Sequence, residues 1–149
     1  MNKSLRPALA ELIGTFCFMF IGAGSICLDA SLGAKGYGLL GIALAHGLML
    51  SVMVSAFGHI SGAHFNPAVT IALAVTKKCS WSNVVPYIIA QLVGGTTAGF
   101  LLKFVFPSAV ASVHLGTPAL AAGEIDPMNG TLLEAILTFF LVTAVMGTA

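Results

Sequence analysis

The chain has 149 residues, of which 58% are hydrophobic and 7% charged, with a formal net charge of +1 and a mean hydropathy of +1.01. A water-soluble domain carries charge on about 25% of its residues, so this composition excludes such a globule and demands lipid over much of the surface. The absence of any basic run excludes nucleic acid as a partner, and the length suits one unit of a few spans rather than two domains.

A helix needs about 20 apolar residues to cross a hydrocarbon core of about 30 Å. The first such stretch runs from Pro7 to Leu28, interrupted only by Glu11. Lys3 and Arg6 ahead of it resemble the charged region of a secretory leader, but the apolar run is longer than a leader core and further spans follow, so a retained helix is expected. The second stretch is Leu39–Phe57. Asn66–Thr76 comes next, apolar but only about half a span; a segment of this length enters a bilayer and turns back. Val84–Phe106 forms the third stretch. Pro107–Met128 holds Pro107, Pro118 and Pro127 among small residues and reads as an external irregular loop. A fourth stretch, Leu132–Ala149, closes the chain.

The expected fold is therefore all-α: a polytopic membrane protein with four transmembrane helices and one re-entrant half-helix. With the amino terminus in the cytoplasm, Lys3, Arg6, Lys77 and Lys78 fall inside and Lys35 outside, which satisfies the lysine and arginine bias of membrane proteins. The short amino terminus without targeting features points to a bacterial inner membrane.

The re-entrant segment reads Gly58-His59-Ile60-Ser61-Gly62-Ala63-His64-Phe65-Asn66-Pro67-Ala68-Val69-Thr70. Asn66 suits a helix N-cap and Pro67 the first helical position, where a missing N–H costs nothing. Gly58, Ser61, Gly62 and Ala63 are small enough for extended backbone before that helix. Backbone of this kind is tolerated at membrane depth only inside protein or beside a watery cavity. The result is a half-helix with its positive end toward the bilayer centre. Such an end repels cations and protons, while loop carbonyls accept hydrogen bonds from water or hydroxyl groups in single file. The Asn66 side chain adds a donor.

Ser61 to Thr70, Ser-Gly-Ala-His-Phe-Asn-Pro-Ala-Val-Thr, resembles the signature of the major intrinsic protein family, the aquaporins and glycerol facilitators. An internal repeat points the same way. A shift of 123 residues places Leu9, Glu11, Ile13, Thr15 and Phe16 on Leu132, Glu134, Ile136, Thr138 and Phe139. The copies lie in the first and fourth spans, with two spans between them, so the second runs in the opposite direction, as in inverted-repeat membrane proteins.

The resemblance implies one membrane domain over 1–149: a first repeat over about 1–106, an external loop over about 107–128, and the first helix of a second repeat over about 130–149. It implies a passive path for water or small neutral solutes such as glycerol, urea or ammonia, and a homotetramer for the complete protein. A complete member has six spans and a second Asn-Pro-Ala loop with a filter arginine. The sequence stops at Ala149 without either, so a fragment is expected, with a shortened gene product that forms a non-conducting membrane piece as the alternative. Two copies closing one path would require both insertion directions, which the lysine and arginine bias opposes.

Residue by residue, the resemblance places Asn66, Pro67 and Ala68 at the centre of the path and the carbonyls of Gly62, Ala63 and His64 along its inner half. His46, 20 residues before Asn66, matches the narrow filter, where a histidine resembles the tonoplast branch; a histidine bonded between helices is the plainer alternative. Val69, Phe18 and Leu141 are further wall candidates, and ordinary packing residues otherwise. Glu11 and Glu134 are implied to be structural buried acids that accept hydrogen bonds from re-entrant loops, since unpaired backbone in lipid is costly. A proton relay through Glu11, His46 and Glu134 would instead mark a proton-coupled transporter. Gly95 and Gly99 form a small-xxx-small pair for close helix contact.

No metal is expected, because His59 and His64 lie five apart in irregular chain. Cys17, Cys27 and Cys79 show neither ligand nor redox spacing and read as plain apolar residues. No nucleophile–base pair, phosphate loop or cofactor motif suggests catalysis.

Overall fold

The computed structural model describes residues 5–121 and 123–148, and they form helices α1 (Leu5–Leu32), α2 (Gly38–Ser61), α3 (Pro67–Val75), α4 (Trp81–Val105), the short α5 (Ala109–Ser112) and α6 (Pro127–Thr148). Four of these, α1, α2, α4 and α6, are long and apolar enough to cross a bilayer. Large apolar side chains lie on the outside, with Leu39 82% and Phe104 85% exposed. Exposure on this scale is favourable only where lipid or further protein replaces water. The chain is an all-α polytopic membrane protein.

Helix α1 is the centre of the assembly, packing along α4 on one side and α2 on the other, while α3 rests on α4 and reaches α6. The α1–α4 approach is set by Gly94. A Cβ there would run into the carbonyl oxygen of Leu12 and the backbone nitrogen of Phe16, so the two backbones touch directly. The expected glycine pair does not make this contact. Gly99 has open space around it, and Gly95 meets only the Met19 side chain at 3.8 Å; both line an outward cavity of about 410 Å³ instead. Helix rotation decides this, because residue 94 lies on the face of α4 that carries buried Tyr87, Ala90, Gln91 and Ala98.

Both ends of the spans are tied by local chemistry. Between α1 and α2, Asp29 Oδ1 accepts the Gly38 N–H at 2.8 Å, and Tyr37 Oη donates to the Ser25 carbonyl at 2.6 Å. At the opposite side, Lys78 Nζ donates to the Met146 carbonyl at 2.8 Å. A cation there satisfies the unpaired carbonyls and the negative end of α6. The connection between α4 and α6 is less irregular than its prolines suggest, since it contains α5 and a 3₁₀ turn at His114–Gly116.

Candidate functional site

The chain between α2 and α3 differs from the extended loop expected over residues 58–63. Helix α2 continues through Ser61 and stops at Gly62, whose φ of 89° and N–H bond to the Gly58 carbonyl close the helix in a left-handed cap. Glycine is the residue that adopts this conformation without penalty. Beyond it, Ala63 (φ 51°) and Phe65 (φ 49°) are also left-handed, a costly conformation for residues with a Cβ that persists only when surroundings impose it.

Glu11 imposes it. Fully buried, its carboxylate accepts from Ser61 Oγ at 2.6 Å, His64 N at 3.0 Å, Phe65 N at 2.7 Å and Gln91 Nε2 at 2.8 Å. Four donors occupy its four lone-pair positions. The Ala63 N–H turns the same way, donating to Ser61 Oγ at 3.0 Å. Because N–H and C=O of a trans peptide point in opposite directions, three inward N–H groups at 63, 64 and 65 turn the carbonyls of Gly62, Ala63 and His64 outward. Among the described residues no donor meets those three carbonyls. They face a cavity of about 810 Å³ lined by residues that include Gly62, Ala63, His64, Ser51, Lys78 and Leu141.

A second layer fixes the base of α3. Tyr87 Oη donates to the Ser61 carbonyl at 2.9 Å. Gln91 Nε2 also donates to Thr70 Oγ1 at 3.0 Å, and the Thr70 hydroxyl donates its one proton to the Asn66 carbonyl at 3.0 Å. His64 Nδ1, 3.1 Å from Thr70 Oγ1, must then be the donor in that pair, which leaves Nε2 as the acceptor of the neutral ring. Gly14 gives space to the Phe65 ring, which a Cβ there would strike. Gln91 and Tyr87 were not singled out from sequence. Their signal was present: two polar groups four residues apart, hence on one helix face, inside an otherwise apolar span.

Asn66 caps α3 through Oδ1, which accepts from Ala68 N at 2.7 Å and Val69 N at 3.4 Å. The amide group, with no partner among the described residues, is left as a donor. Pro67 is the first helical residue, and Ala68 is exposed beside it. His46 and Phe18 form a separate pair, edge to face with centroids 6.0 Å apart. His46 Nδ1 donates to the Ile42 carbonyl at 2.9 Å.

One expected placement needs correction. Val69 is 2% exposed, on the face of α3 that carries buried Thr70 and Leu73, and so leaves the list of wall residues. Within these 149 residues Glu134 is exposed and lines a different cavity with Leu120, Ile125 and Gly130. The shell that buries Glu11 comes from the loop at 61–65, and these 149 residues contain no second loop of that sequence to do the same for Glu134. Glu11, His46 and Glu134 share no hydrogen bond among the described residues.

Comparison with known proteins gives a consistent result. The family model described as major intrinsic protein matches residues 1–149. The chain is 45% identical over 148 residues to Aquaporin TIP4-4 of Zea mays, covering 97% of this chain and 57% of that protein. It is 40% identical over 144 residues to Aquaporin Z of Photorhabdus laumondii, covering 95% and 62%, and 38% identical over 152 residues to Aquaporin NIP1-2 of Oryza sativa subsp. japonica, covering 100% and 49%. The chain thus spans about half to two thirds of the length of these relatives. Matched by the family model from its first residue to its last, it belongs to the major intrinsic protein family.

Proposed function

We propose that the chain forms one wall of a passive membrane path for water and small uncharged solutes. The observation that carries this reading is the row of Gly62, Ala63 and His64 carbonyls turned away from Glu11 and toward the cavity. Acceptors at successive residues replace the hydrogen bonds that a solute leaves behind in water, so its desolvation is offset step by step. At the end of the row stands the amino end of α3, with Ala68 and Val69 N–H bound to Asn66 Oδ1. The partial positive charge of a helix amino end disfavours cations and protons there. The names of the relatives, all aquaporins, support the same reading.

In this proposal Asn66, Pro67 and Ala68 form the centre of the path, Gly62, Ala63 and His64 its acceptor row, and His46, Phe18 and Leu141 further wall. Residues 1–106 are a first repeat, 107–128 an external loop and 130–149 the first helix of a second repeat, with the amino terminus cytoplasmic and a homotetramer as the working assembly. No reaction chemistry is assigned to the chain. Glu11 is structural: with four donors on its carboxylate, it has no lone pair left to relay a proton.

The test is osmotic. Liposomes containing the complete polypeptide that carries this sequence are expected to shrink faster than empty ones under an osmotic step, with unchanged proton and cation leak. Ohmic cation current through the protein, or shrinkage equal to empty liposomes, would refute the proposal.

A further inference from the structure

The imidazole of His46 lies against Gly22 of α1. A Cβ built on Gly22 would stand 2.7 Å from both Cδ2 and Nε2 of the ring, well inside van der Waals contact. Gly22 is buried in the middle of a regular helix and its φ is outside the left-handed range, so the backbone does not require glycine. The ring does. Two further contacts of the imidazole among the described residues are its Nδ1 bond to the Ile42 carbonyl at 2.9 Å and the edge-to-face contact with Phe18. Both leave the ring free to shift off α1, because the first is made to its own helix and the second is to a side chain.

We propose that Gly22 is a specificity-determining residue: by lacking a side chain it lets the His46 ring recede against α1, and that recess sets the free width of the path beside the ring. The inference rests on the reading of His46 as a wall residue. A methyl group at residue 22 pushes the ring from 2.7 Å toward the ordinary contact range beginning at 3.4 Å. The ring yields rather than the helix, since it turns about side-chain torsions while α1 is clamped between α2 and α4. The displaced volume comes out of the path. Solutes wider than water, such as urea and glycerol, lose more than water does.

The experiment compares the unaltered complete polypeptide with Gly22→Ala, His46→Ala and the double variant in liposomes. The readout is the permeability of the largest solute in a graded series that the unaltered protein passes, relative to water. Gly22→Ala is expected to lower this ratio several-fold and His46→Ala to raise it. The double variant should match His46→Ala, because no ring remains to be displaced. A ratio unchanged by Gly22→Ala, or lowered equally with and without the ring, overturns the role of Gly22. A ratio unchanged by His46→Ala removes His46 from the wall and locates the failure in the underlying reading. Should Gly22→Ala fail to assemble, the double variant, free of the clash, must assemble; failure of both also overturns the proposal.

Discussion

Glu11 and Gln91 lie 80 residues apart in the chain and are joined by a 2.8 Å hydrogen bond from Nε2 to Oε2. Through it, α1 and α4 grip the loop between them, since the same carboxylate holds His64 and Phe65 N–H and the same amide holds Thr70. Glu11→Gln keeps the shape and replaces one acceptor oxygen with a donor. With the new amide at the Oε1 position, the His64 N–H would face another N–H, while the Ser61 hydroxyl can turn to accept. Leaving a buried group unsatisfied costs about 1–3 kcal/mol, so a loss of about 1–3 kcal/mol is expected in unfolding by denaturing detergent. An unaltered unfolding midpoint would remove Glu11 from its proposed structural role.

Asn66 performs two separable tasks. Its Oδ1 caps α3, and the amide group left over supplies a donor at the positive end of that helix. Asn66→Ala removes both and should cost about 1 kcal/mol of stability. Asn66→Asp keeps the cap but places a negative charge where the helix end opposes cations. It should therefore retain stability while admitting measurable cation current. Current absent in the Asp variant would mean that cation exclusion is set elsewhere than at this helix end.

Much of this architecture was legible in the sequence because membrane spans obey a length rule. The four spans and the start of α3 at Pro67 follow from apolar run length and from cap chemistry at Asn66. What escaped depended on rotation and on long-range pairing. The direct α1–α4 contact falls on Gly94 rather than on Gly95 and Gly99, and the burial of Val69 follows from how α3 is turned; in a helix apolar on every side, periodicity cannot tell these faces apart. The left-handed backbone at Ala63 and Phe65, beyond the Gly62 cap, is held by Glu11, 53 and 54 residues away in sequence from the His64 and Phe65 N–H groups it accepts. No local pattern contains that.

Gly94 offers a test of the helix contact. Its missing Cβ faces the Leu12 carbonyl oxygen and Phe16 nitrogen, atoms of a backbone that cannot rotate away. Gly94→Ala should separate α1 from α4 and destabilise the fold by about 1–3 kcal/mol despite the better helix propensity of alanine. Gly99→Ala, where a Cβ meets open space, should be neutral or slightly stabilising. The pair is read by thermal unfolding in one detergent, and equal effects at both positions would contradict the placement of the contact.

Cys79, in the turn between α3 and α4, reports on orientation and on its surroundings together. Burial and, secondarily, the negative charge of Glu11 push its thiol above the ordinary range. Both disfavour the thiolate, which is the form that reacts. In a variant with Cys17→Ala and Cys27→Ala, maleimide labelling should therefore be slower near neutral pH than for an exposed cysteine. It should also keep accelerating as pH rises past the range where a free thiol has already ionised. If the amino terminus is cytoplasmic, a membrane-impermeant maleimide should reach Cys79 only from that face, since the turn carries Lys77 and Lys78. Labelling from the opposite face would reverse the proposed orientation, and a pH profile like that of free cysteine would deny the burial of the thiol.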